Sequence, residues 1–335
     1  MQSKKIAVLG GGSWGTIISQ MLSASGHSVN LWARSNTFIK HIQTTGRFTR
    51  PIEINLPDSI HLYTSLNEAL KDVSLVICAI PSEGVSGLIE QIKSLIENNP
   101  SINIPCVLSA TKGLDKKAGK TMVELWEENF NCPVAVLSGP NLAAEVGLAK
   151  PMKTIIGARS INTAAEIANY FQLNHFKIQV STDVIGIEIC GAAKNVIAIA
   201  AGAWDGLGMG TSGKGAMLTK ALDDLANLVC IMGGDKTTTY SVAGIGDLYI
   251  TCSSNLSRNY QTGFAFAQGK NLSQIKTDLK GQIAEGIWTT PLIHEIALKH
   301  KTEFKVCEAV YEMLKLNLAL PEDKYKLEEM FIDLV

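Results

Sequence analysis

The chain has 335 residues, more than the roughly 250–300 at which a single hydrophobic core stops growing, so its length predicts two domains. Hydrophobic residues make up 46% of the chain and charged residues 18%, a composition that supplies a large core and excludes a mostly disordered protein. A formal net charge of −1 excludes a general electrostatic attraction to nucleic acid or to anionic membranes.

The cysteines, the histidines and the first residues indicate the compartment and the metal content. Seven cysteines are scattered, odd in number and without a CxxC pair, which indicates reduced thiols rather than a zinc site or a disulfide framework. The six histidines show no HxH or HxxxH spacing, so we expect no metal. The start, MQSKKIAVLG, lacks the apolar segment and the cleavage site of a signal peptide. These features predict a cytoplasmic protein.

The chain begins with a pattern typical of dinucleotide binding. An apolar strand over Lys5–Leu9 runs into a glycine-rich turn, and a helix is predicted over Thr16–Ala24. Gly10, Gly12 and Gly15 occupy the GxGxxG positions, where they allow a tight turn, the approach of a pyrophosphate and close helix–strand packing. The pyrophosphate would bind at the N-terminus of the helix. The pattern predicts a Rossmann-type dinucleotide-binding domain.

The second strand, predicted over Val29–Trp32, ends without the acidic residue that usually binds the adenosine ribose. Arg34 lies there instead, and an arginine accommodates a 2′-phosphate or stacks on adenine. NADP is therefore allowed as well as NAD. The alternative is a solvated surface arginine.

Later strands, separated by helices, complete an α/β domain that we expect to end at residue 182. The region 36–70 shows a weaker secondary-structure pattern, with a helix predicted near 36–45 and an irregular stretch up to Pro57. Three of the strands end in polar or glycine turns, at the sheet edge where ligands bind in open α/β sheets. Lys112 lies in one of these turns and could meet an anion, or be a solvated loop lysine. The predicted strands are Leu75–Ile80, Ile104–Ser109, Val134–Leu137, Thr154–Gly157 and Lys177–Val180, with helices near 84–97 and 118–129 in a doubly wound parallel sheet.

Residues 183–335 are predicted to form a second, mostly α-helical domain. Helical patterns cover 184–204, 213–232, 259–268, 289–300 and 305–316.

The first of these helices carries Lys194 among small and apolar residues. Glu188 and Lys194 would both lie within the hydrocarbon of a bilayer, so the composition favours a buried helix of a globular protein. Gly191 and Ala198 leave room beside the lysine. Desolvation favours a neutral amine, which suits proton transfer near neutral pH. The alternative is a lysine whose stem packs while its ammonium group reaches water.

Two islands that look non-helical interrupt the second domain. The first is the glycine turn AGIGDL, which presents Asp247. The second, SSNLSRNY, places Ser257, Arg258 and Asn259 side by side, a combination of donors that suits a phosphate. A polar surface loop is the alternative for this segment.

Eight motifs, in order along the chain, resemble the NAD(P)-dependent glycerol-3-phosphate dehydrogenases, in particular the bacterial type. They are GGGSWGT (10–16), LWAR (31–34), SATKG (109–113), LSGPNLAAEV (137–146), GAAKNVIAIAAG (191–202), AGIGDL–TC (243–252), SRN (257–259) and AEG (284–286). The resemblance therefore covers nearly the whole chain.

The resemblance implies a cytoplasmic oxidoreductase that interconverts dihydroxyacetone phosphate and sn-glycerol 3-phosphate with NAD or NADP, for phospholipid synthesis. Lys194 would donate and accept the proton. The residues at the family's substrate positions are Lys112, Gly139, Asn141, Lys194, Asn195, Asp247, Ser257, Arg258 and Asn259. The residues at the cofactor positions, including the glycine turn, are Gly10, Gly12, Ser13, Trp14, Gly15, Arg34, Lys112, Ala143, Arg258, Ile283 and Glu285.

One departure concerns Asn141, because the family commonly has threonine or serine after Ser-Gly-Pro. An amide can still form a hydrogen bond with the substrate. Position 283 is isoleucine where valine is common.

Two rival functions stay open at this point. One is another two-domain dehydrogenase with a catalytic lysine that acts on a small hydroxy acid, such as a 3-hydroxyacid or ketopantoate type. The other is a regulatory protein that senses NAD(P)H without turnover, although such a protein needs no buried lysine. We expect a small phosphorylated substrate, no nucleic-acid partner and no membrane span. A homodimer is compatible with the sequence, which leaves the oligomeric state open.

Overall fold

The structure is a computed structural model that describes residues 2–117, 119–254, 257–279, 284–316 and 320–335. The chain divides into two compact units, Met1–Val184 and Ile185–Val335.

The first unit alternates strands and helices, as its sequence predicts. Its elements are β1 (Lys5–Leu9), α1 (Ser13–Ala24), β2 (Ser28–Trp32), α2 (Asn36–Thr45), β3 (Arg47–Phe48), β4 (Ile54–Asn55), β5 (Ile60–Tyr63), α3 (Leu66–Ala69), β6 (Leu75–Cys78), α4 (Val85–Asn98), β7 (Val107–Ser109), α5 (Met122–Asn129), β8 (Val134–Ser138), α6 (Ala143–Gly147), β9 (Met152–Ala158), α7 (Ile161–Ala168) and β10 (Phe176–Ser181).

Eight strands form one sheet in the order β10-β9-β8-β7-β6-β1-β2-β5. Strand β1 lies between β2 and β6 and is parallel to both, with Val8 opposite Leu31 and Ile77. The central strands are apolar along their whole length because helices cover both faces of such a sheet. The predicted α/β fold class with a Rossmann-type sheet is confirmed.

The sheet differs from the predicted all-parallel one at β9, which pairs with β8 in the antiparallel direction. A parallel neighbour needs a crossover that usually contains a full helix, and the connection from β8 contains only the five-residue α6. Strand β10 is parallel to β9 because α7 lies between them in the chain.

Sequence analysis missed the short strands within residues 36–70. Strands β3 and β4 form a two-residue antiparallel ladder, and β5 joins the main sheet beside β2. Segments of two to four residues are too short to show an alternating pattern.

The second unit is helical in its described part. Its elements are α8 (Val184–Gly206), α9 (Thr211–Ile231), a 3₁₀ turn (Lys236–Tyr240), a π-helical turn (Val242–Gly246), α10 (Asp247–Ser253), α11 (Arg258–Ala267), α12 (Leu272–Asp278), α13 (Glu285–Lys299), α14 (Lys305–Met313) and α15 (Pro321–Ile332).

Helix α8 is the central helix of this unit. It is long and apolar enough to cross a membrane, but 94% of its most apolar 18-residue window is buried inside the protein, as in the core helix of a globular protein. Helix α11 packs so closely against α8 that the two backbones are in contact. A Cβ on Gly202 would collide with the carbonyl oxygen of Tyr260, and one on Gly263 with that of Ile199. The small residues of α8 therefore allow α11 to approach closely.

Candidate active site

The glycine turn between β1 and α1 has the backbone that the sequence predicts. Gly10 has a φ of +136°, a conformation that L side chains rarely adopt. A Cβ on Gly15 would collide with the carbonyl oxygen of Gly10, so this position requires glycine. Gly12 caps α1 without a side-chain hydrogen bond, and Ser13 and Trp14 form its first turn. The first amide groups of α1 are thus available to an anion.

This turn fits the pyrophosphate of a dinucleotide. A Cβ on Gly12 would meet nothing within 4 Å, so this position leaves open space for a ligand at the helix N-terminus. No acidic residue lies in the first turn of α1. Arg34 is exposed and lies two residues after the end of β2. It is followed by Ser35, whose hydroxyl accepts from the amide of Phe38.

Three turns meet at the carboxyl edge of the first unit's sheet. The Thr111 hydroxyl donates to the carbonyl oxygen of Ile80 at 2.8 Å, which joins the turns after β6 and β7. The ammonium group of Lys112 donates to the carbonyl oxygen of Gly139 at 2.8 Å, which joins the turns after β7 and β8. Lys112 and Gly139, both predicted to bind substrate, therefore lie together.

Asn141 extends this edge towards β9. Its amide nitrogen Nδ2 donates to the hydroxyl of Thr154 at 3.1 Å, and Thr154 donates to the carbonyl oxygen of Ser138 at 2.6 Å. Its amide oxygen Oδ1 is buried and has no hydrogen-bond partner among the described residues. Ala143 is the first residue of α6, two positions further along the chain.

In the second unit, Lys194 forms a cluster with Asp247 and Thr251, called here the Lys194 cluster. The ammonium group donates to Oδ1 of Asp247 at 2.5 Å and to the hydroxyl of Thr251 at 3.0 Å. Lys194 is 7% exposed and Asp247 is fully buried, so the lysine does not reach water as a snorkelling side chain would. Burial penalises a lone ammonium, and the carboxylate compensates its charge.

The sequence predicts an irregular glycine turn at Asp247, but in the structure Asp247 is the first residue of α10. The glycine-rich residues before it form a π-helical turn. A Cβ on Gly244 would collide with the carbonyl oxygen of Thr239, so the glycine permits this turn. Thr251 lies one helical turn after Asp247, and its hydroxyl donates to the Asp247 carbonyl oxygen at 2.6 Å. The helix therefore presents both groups to Lys194.

A second hydrogen-bond network joins α8, α11 and α13. Nδ2 of Asn259 donates to Oδ1 of Asn195 at 2.9 Å, and Oδ1 of Asn259 accepts from the amide of Gly286 at 2.9 Å. A Cβ on Gly286 would lie 2.6 Å from the carbonyl oxygen of Asn195, so the close packing requires glycine. Glu285, a predicted cofactor residue, is the first residue of α13.

The segment predicted as a non-helical SSNLSRNY island is helical at both ends in the described part. Ser253 ends α10, and Arg258 begins α11. The hydroxyl of Ser257 caps α11 by accepting from the amide of Tyr260. Arg258, the first residue of α11, is exposed. Ser257, Arg258 and Asn259 thus form a helix N-terminus, where anions are favoured.

Comparisons with known proteins identify the family. The family model of the NAD-dependent glycerol-3-phosphate dehydrogenase N-terminus matches residues 5–164, and that of the C-terminus matches residues 183–322. The chain belongs to this family.

Relatives and solved structures agree with the family models. The glycerol-3-phosphate dehydrogenase (NAD(P)+) of Chlorobium limicola is 35% identical and that of Bacillus cereus 34%, each over 92% of this chain and over 92% and 91% of the relative. A crystal structure of glycerol-3-phosphate dehydrogenase from Coxiella burnetii is 30% identical, with a TM-score of 0.87 over 98% of this chain and 99% of that chain. This family membership makes the chain an NAD(P)-dependent oxidoreductase acting on a CH–OH group and does not favour a hydroxy-acid dehydrogenase.

Ile283, at one of the family's cofactor positions, lies outside the described residues. The described residues contain no group of three or more histidine, cysteine or acidic residues that could hold a metal ion. No disulfide joins the seven cysteines, all of which lie in the described part of the chain. Burial raises the pKa of the Cys78 thiol to about 11 and that of Cys252 to about 12.

Sequence analysis missed two threonines, Thr251 and Thr154, that form hydrogen bonds with predicted site residues. Thr251 accepts from Lys194, and the four-residue spacing from Asp247 places both on one helix face only because Asp247–Ser253 is helical, which the sequence analysis did not predict. Thr154 of β9 accepts from Asn141 in the turn after β8, and its position depends on the antiparallel register of β8 and β9, which no local sequence pattern indicates.

Proposed function

We propose that the chain reversibly reduces dihydroxyacetone phosphate to sn-glycerol 3-phosphate, with Lys194 as proton donor and acceptor. The observation that carries this proposal is the buried Lys194 cluster, in which the ammonium group is held by Asp247 and Thr251. The nicotinamide ring, when bound, supplies the hydride that adds to the ketone carbon.

The proton step uses the chain's own residues. As the ketone becomes an alkoxide, Nζ of Lys194 transfers a proton to that oxygen, and the alcohol product keeps it. Asp247 stabilises the ammonium form before the transfer, and Thr251 fixes the direction of Nζ. In the reverse direction the amine accepts the proton of the alcohol.

The remaining proposed contacts orient the substrate and the cofactor. The substrate phosphate binds Arg258 and the N-terminus of α11, where Asn259 already holds Asn195 in place. Lys112, Gly139 and Asn141, at the family's substrate positions, are further proposed substrate contacts. Glu285 and Ala143 bind the cofactor with the glycine turn, and Arg34 binds the 2′-phosphate of NADP, so NADPH serves at least as well as NADH.

The reaction would take place in the cytoplasm and supply the backbone of phospholipids. Its test is the oxidation of NADPH and of NADH by the purified chain with dihydroxyacetone phosphate, beside unphosphorylated dihydroxyacetone. We expect rapid oxidation with the phosphorylated ketone and little with the other. Equal rates with both ketones would exclude the phosphate site, and no oxidation with either would exclude the activity.

A further inference from the structure

The orientation of the Asn141 amide is determined by Thr154. The Thr154 hydroxyl donates its only hydrogen to the carbonyl oxygen of Ser138 at 2.6 Å, so its oxygen can only accept from Asn141. The amide group facing it at 3.1 Å must therefore be the nitrogen, Nδ2. Thr154 itself is fully buried and lies within β9, which limits its movement.

This orientation leaves the amide oxygen of Asn141 as an unsatisfied acceptor. Oδ1 is buried and has no hydrogen-bond partner among the described residues, although Asn141 as a whole is partly exposed. An unsatisfied buried acceptor is costly, so a ligand that donates a hydrogen there gains more than it would from a group that water already solvates. The same turn carries Gly139, whose carbonyl oxygen is already occupied by Lys112 and by the backbone amide of Asn141.

We propose that Asn141 recognises the free hydroxymethyl group of the substrate, and that Thr154 is the residue that positions its amide for this task. The inference rests on the proposed function. Dihydroxyacetone phosphate offers three polar groups: a phosphate, a ketone oxygen and a terminal hydroxyl. Only the hydroxyl is a donor, so only the hydroxyl can satisfy an acceptor such as Oδ1. Asn141 thus selects a hydroxymethyl ketone over a methyl ketone.

The test compares kcat/KM for dihydroxyacetone phosphate and for acetol phosphate, in which a methyl group replaces the hydroxymethyl group. The wild-type chain should prefer dihydroxyacetone phosphate by about 10- to 100-fold, because the analogue leaves the acceptor unpaired. Asn141→Leu should bring the ratio close to one, mainly through a loss with dihydroxyacetone phosphate.

Thr154→Val tests the positioning role, because valine has the shape of threonine but cannot accept from Nδ2. Its ratio should fall several-fold while the KM for NADPH stays unchanged, and this variant decides the matter if Asn141→Leu does not fold. Asn30→Leu is the matched control. Asn30 is a buried asparagine of β2 that donates to the carbonyl oxygen of Ala69, so its replacement should leave the ratio at the wild-type value.

Three results would overturn the inference. The wild-type ratio could be close to one, or it could survive in both Asn141→Leu and Thr154→Val, as it would if a trapped water satisfied Oδ1. The variants could also raise the KM for NADPH without changing the ratio, which would assign Oδ1 to the carboxamide of the cofactor. If the wild-type chain reduces neither ketone, it is the proposed function that fails.

Discussion

The glycine turn of the first unit and the Lys194 cluster of the second are built from different materials. The turn is made of the backbone of one short segment, in which Gly15 packs on Gly10. The cluster is made of side chains that lie 53 and 57 residues apart in the chain. The turn is sensitive to a Cβ added where its backbone segments touch, as at Gly15, whereas the cluster is sensitive to the loss of a functional group. The two should therefore fail in different ways when they are mutated.

The largest effect is expected at Lys194. General acid catalysis contributes about 10²–10⁴-fold, so Lys194→Ala should lose at least that factor in turnover. Lys194→Arg should not restore activity, because arginine keeps its proton at neutral pH. NADPH binding, followed by fluorescence, should stay close to wild type because the glycine turn is unchanged.

Each variant has a result that would contradict the proposed role. Substantial turnover by Lys194→Arg would make the lysine a fixed positive charge only. Normal turnover by Lys194→Ala would remove it from the chemistry. Lys220→Ala is a control, since Lys220 of α9 also forms a lysine–aspartate pair, but with Asp224, which is not part of the Lys194 cluster.

The next largest effect is expected at Arg258. Loss of a charge-assisted pair with the substrate phosphate should cost about 2–5 kcal/mol of transition-state binding, so Arg258→Ala should strongly reduce kcat/KM for dihydroxyacetone phosphate. Arg47→Ala is the control, because Arg47 is an exposed arginine that pairs with Glu53 in the first unit. An Arg258→Ala variant as efficient as the control would place the phosphate elsewhere.

The glycine turn offers a matched pair of variants. Gly15→Ala forces a methyl group against the Gly10 carbonyl oxygen and should lower the free energy of unfolding by about 1–3 kcal/mol. Gly12→Ala meets nothing within 4 Å and has a φ of −75°, so it should leave stability unchanged. Both should weaken NADPH binding, because the pyrophosphate approaches Gly12 and because the Gly15→Ala methyl group displaces the turn that binds the pyrophosphate. Denaturant unfolding without cofactor separates the two effects, and equal stability losses would contradict this distinction.

The difference between the two sites also explains what the sequence could predict. Strand β1, the glycine turn and the following helix are encoded within about 30 consecutive residues, so the sequence pattern predicts the ends of β1 and α1 to within three residues. The Lys194–Asp247 pair depends on how α10 packs against α8, and the periodicity of hydrophobic residues within one helix does not indicate this packing. The same holds for the antiparallel β9 and for Thr154, which it places beside Asn141.

A smaller effect is expected at Arg34, the exposed residue after β2. A charge-assisted contact with the 2′-phosphate is worth about 1.5–3 kcal/mol, and exposure to water should keep the value at the lower end. Arg34→Asp should therefore shift the ratio of kcat/KM for NADPH to that for NADH about tenfold towards NADH. A wild-type chain that uses NADH far better than NADPH would contradict the proposed role of Arg34.

The smallest effect concerns a buried neutral imidazole in the first unit, His27, which contrasts with the charged pair of the second. Its Nδ1 accepts from the backbone amide of Lys4 at 3.3 Å, and its Nε2 lies 3.1 Å from the carbonyl oxygen of Tyr170. A carbonyl can only accept, so the neutral tautomer with hydrogen on Nε2 satisfies both contacts. Protonation would set an N–H group against the Lys4 amide.

Burial accordingly lowers the pKa of His27 below its ordinary value of 6.5, with further lowering from the charges of the N-terminus and Lys4. The unfolded chain then binds more protons than the folded chain between the two pKa values. The contribution of His27 to stability is therefore complete above pH 6.5 and is lost as the pH falls through 6.5 towards the lowered pKa of the folded state.

Denaturant unfolding of the wild type and of His27→Phe, above and below pH 6.5, measures this effect. The variant should lose less stability on acidification than the wild type does. His61→Gln, which replaces an exposed histidine of β5, is the control variant. Identical pH dependence in His27→Phe and in the wild type would mean that the imidazole is accommodated equally well in its charged form.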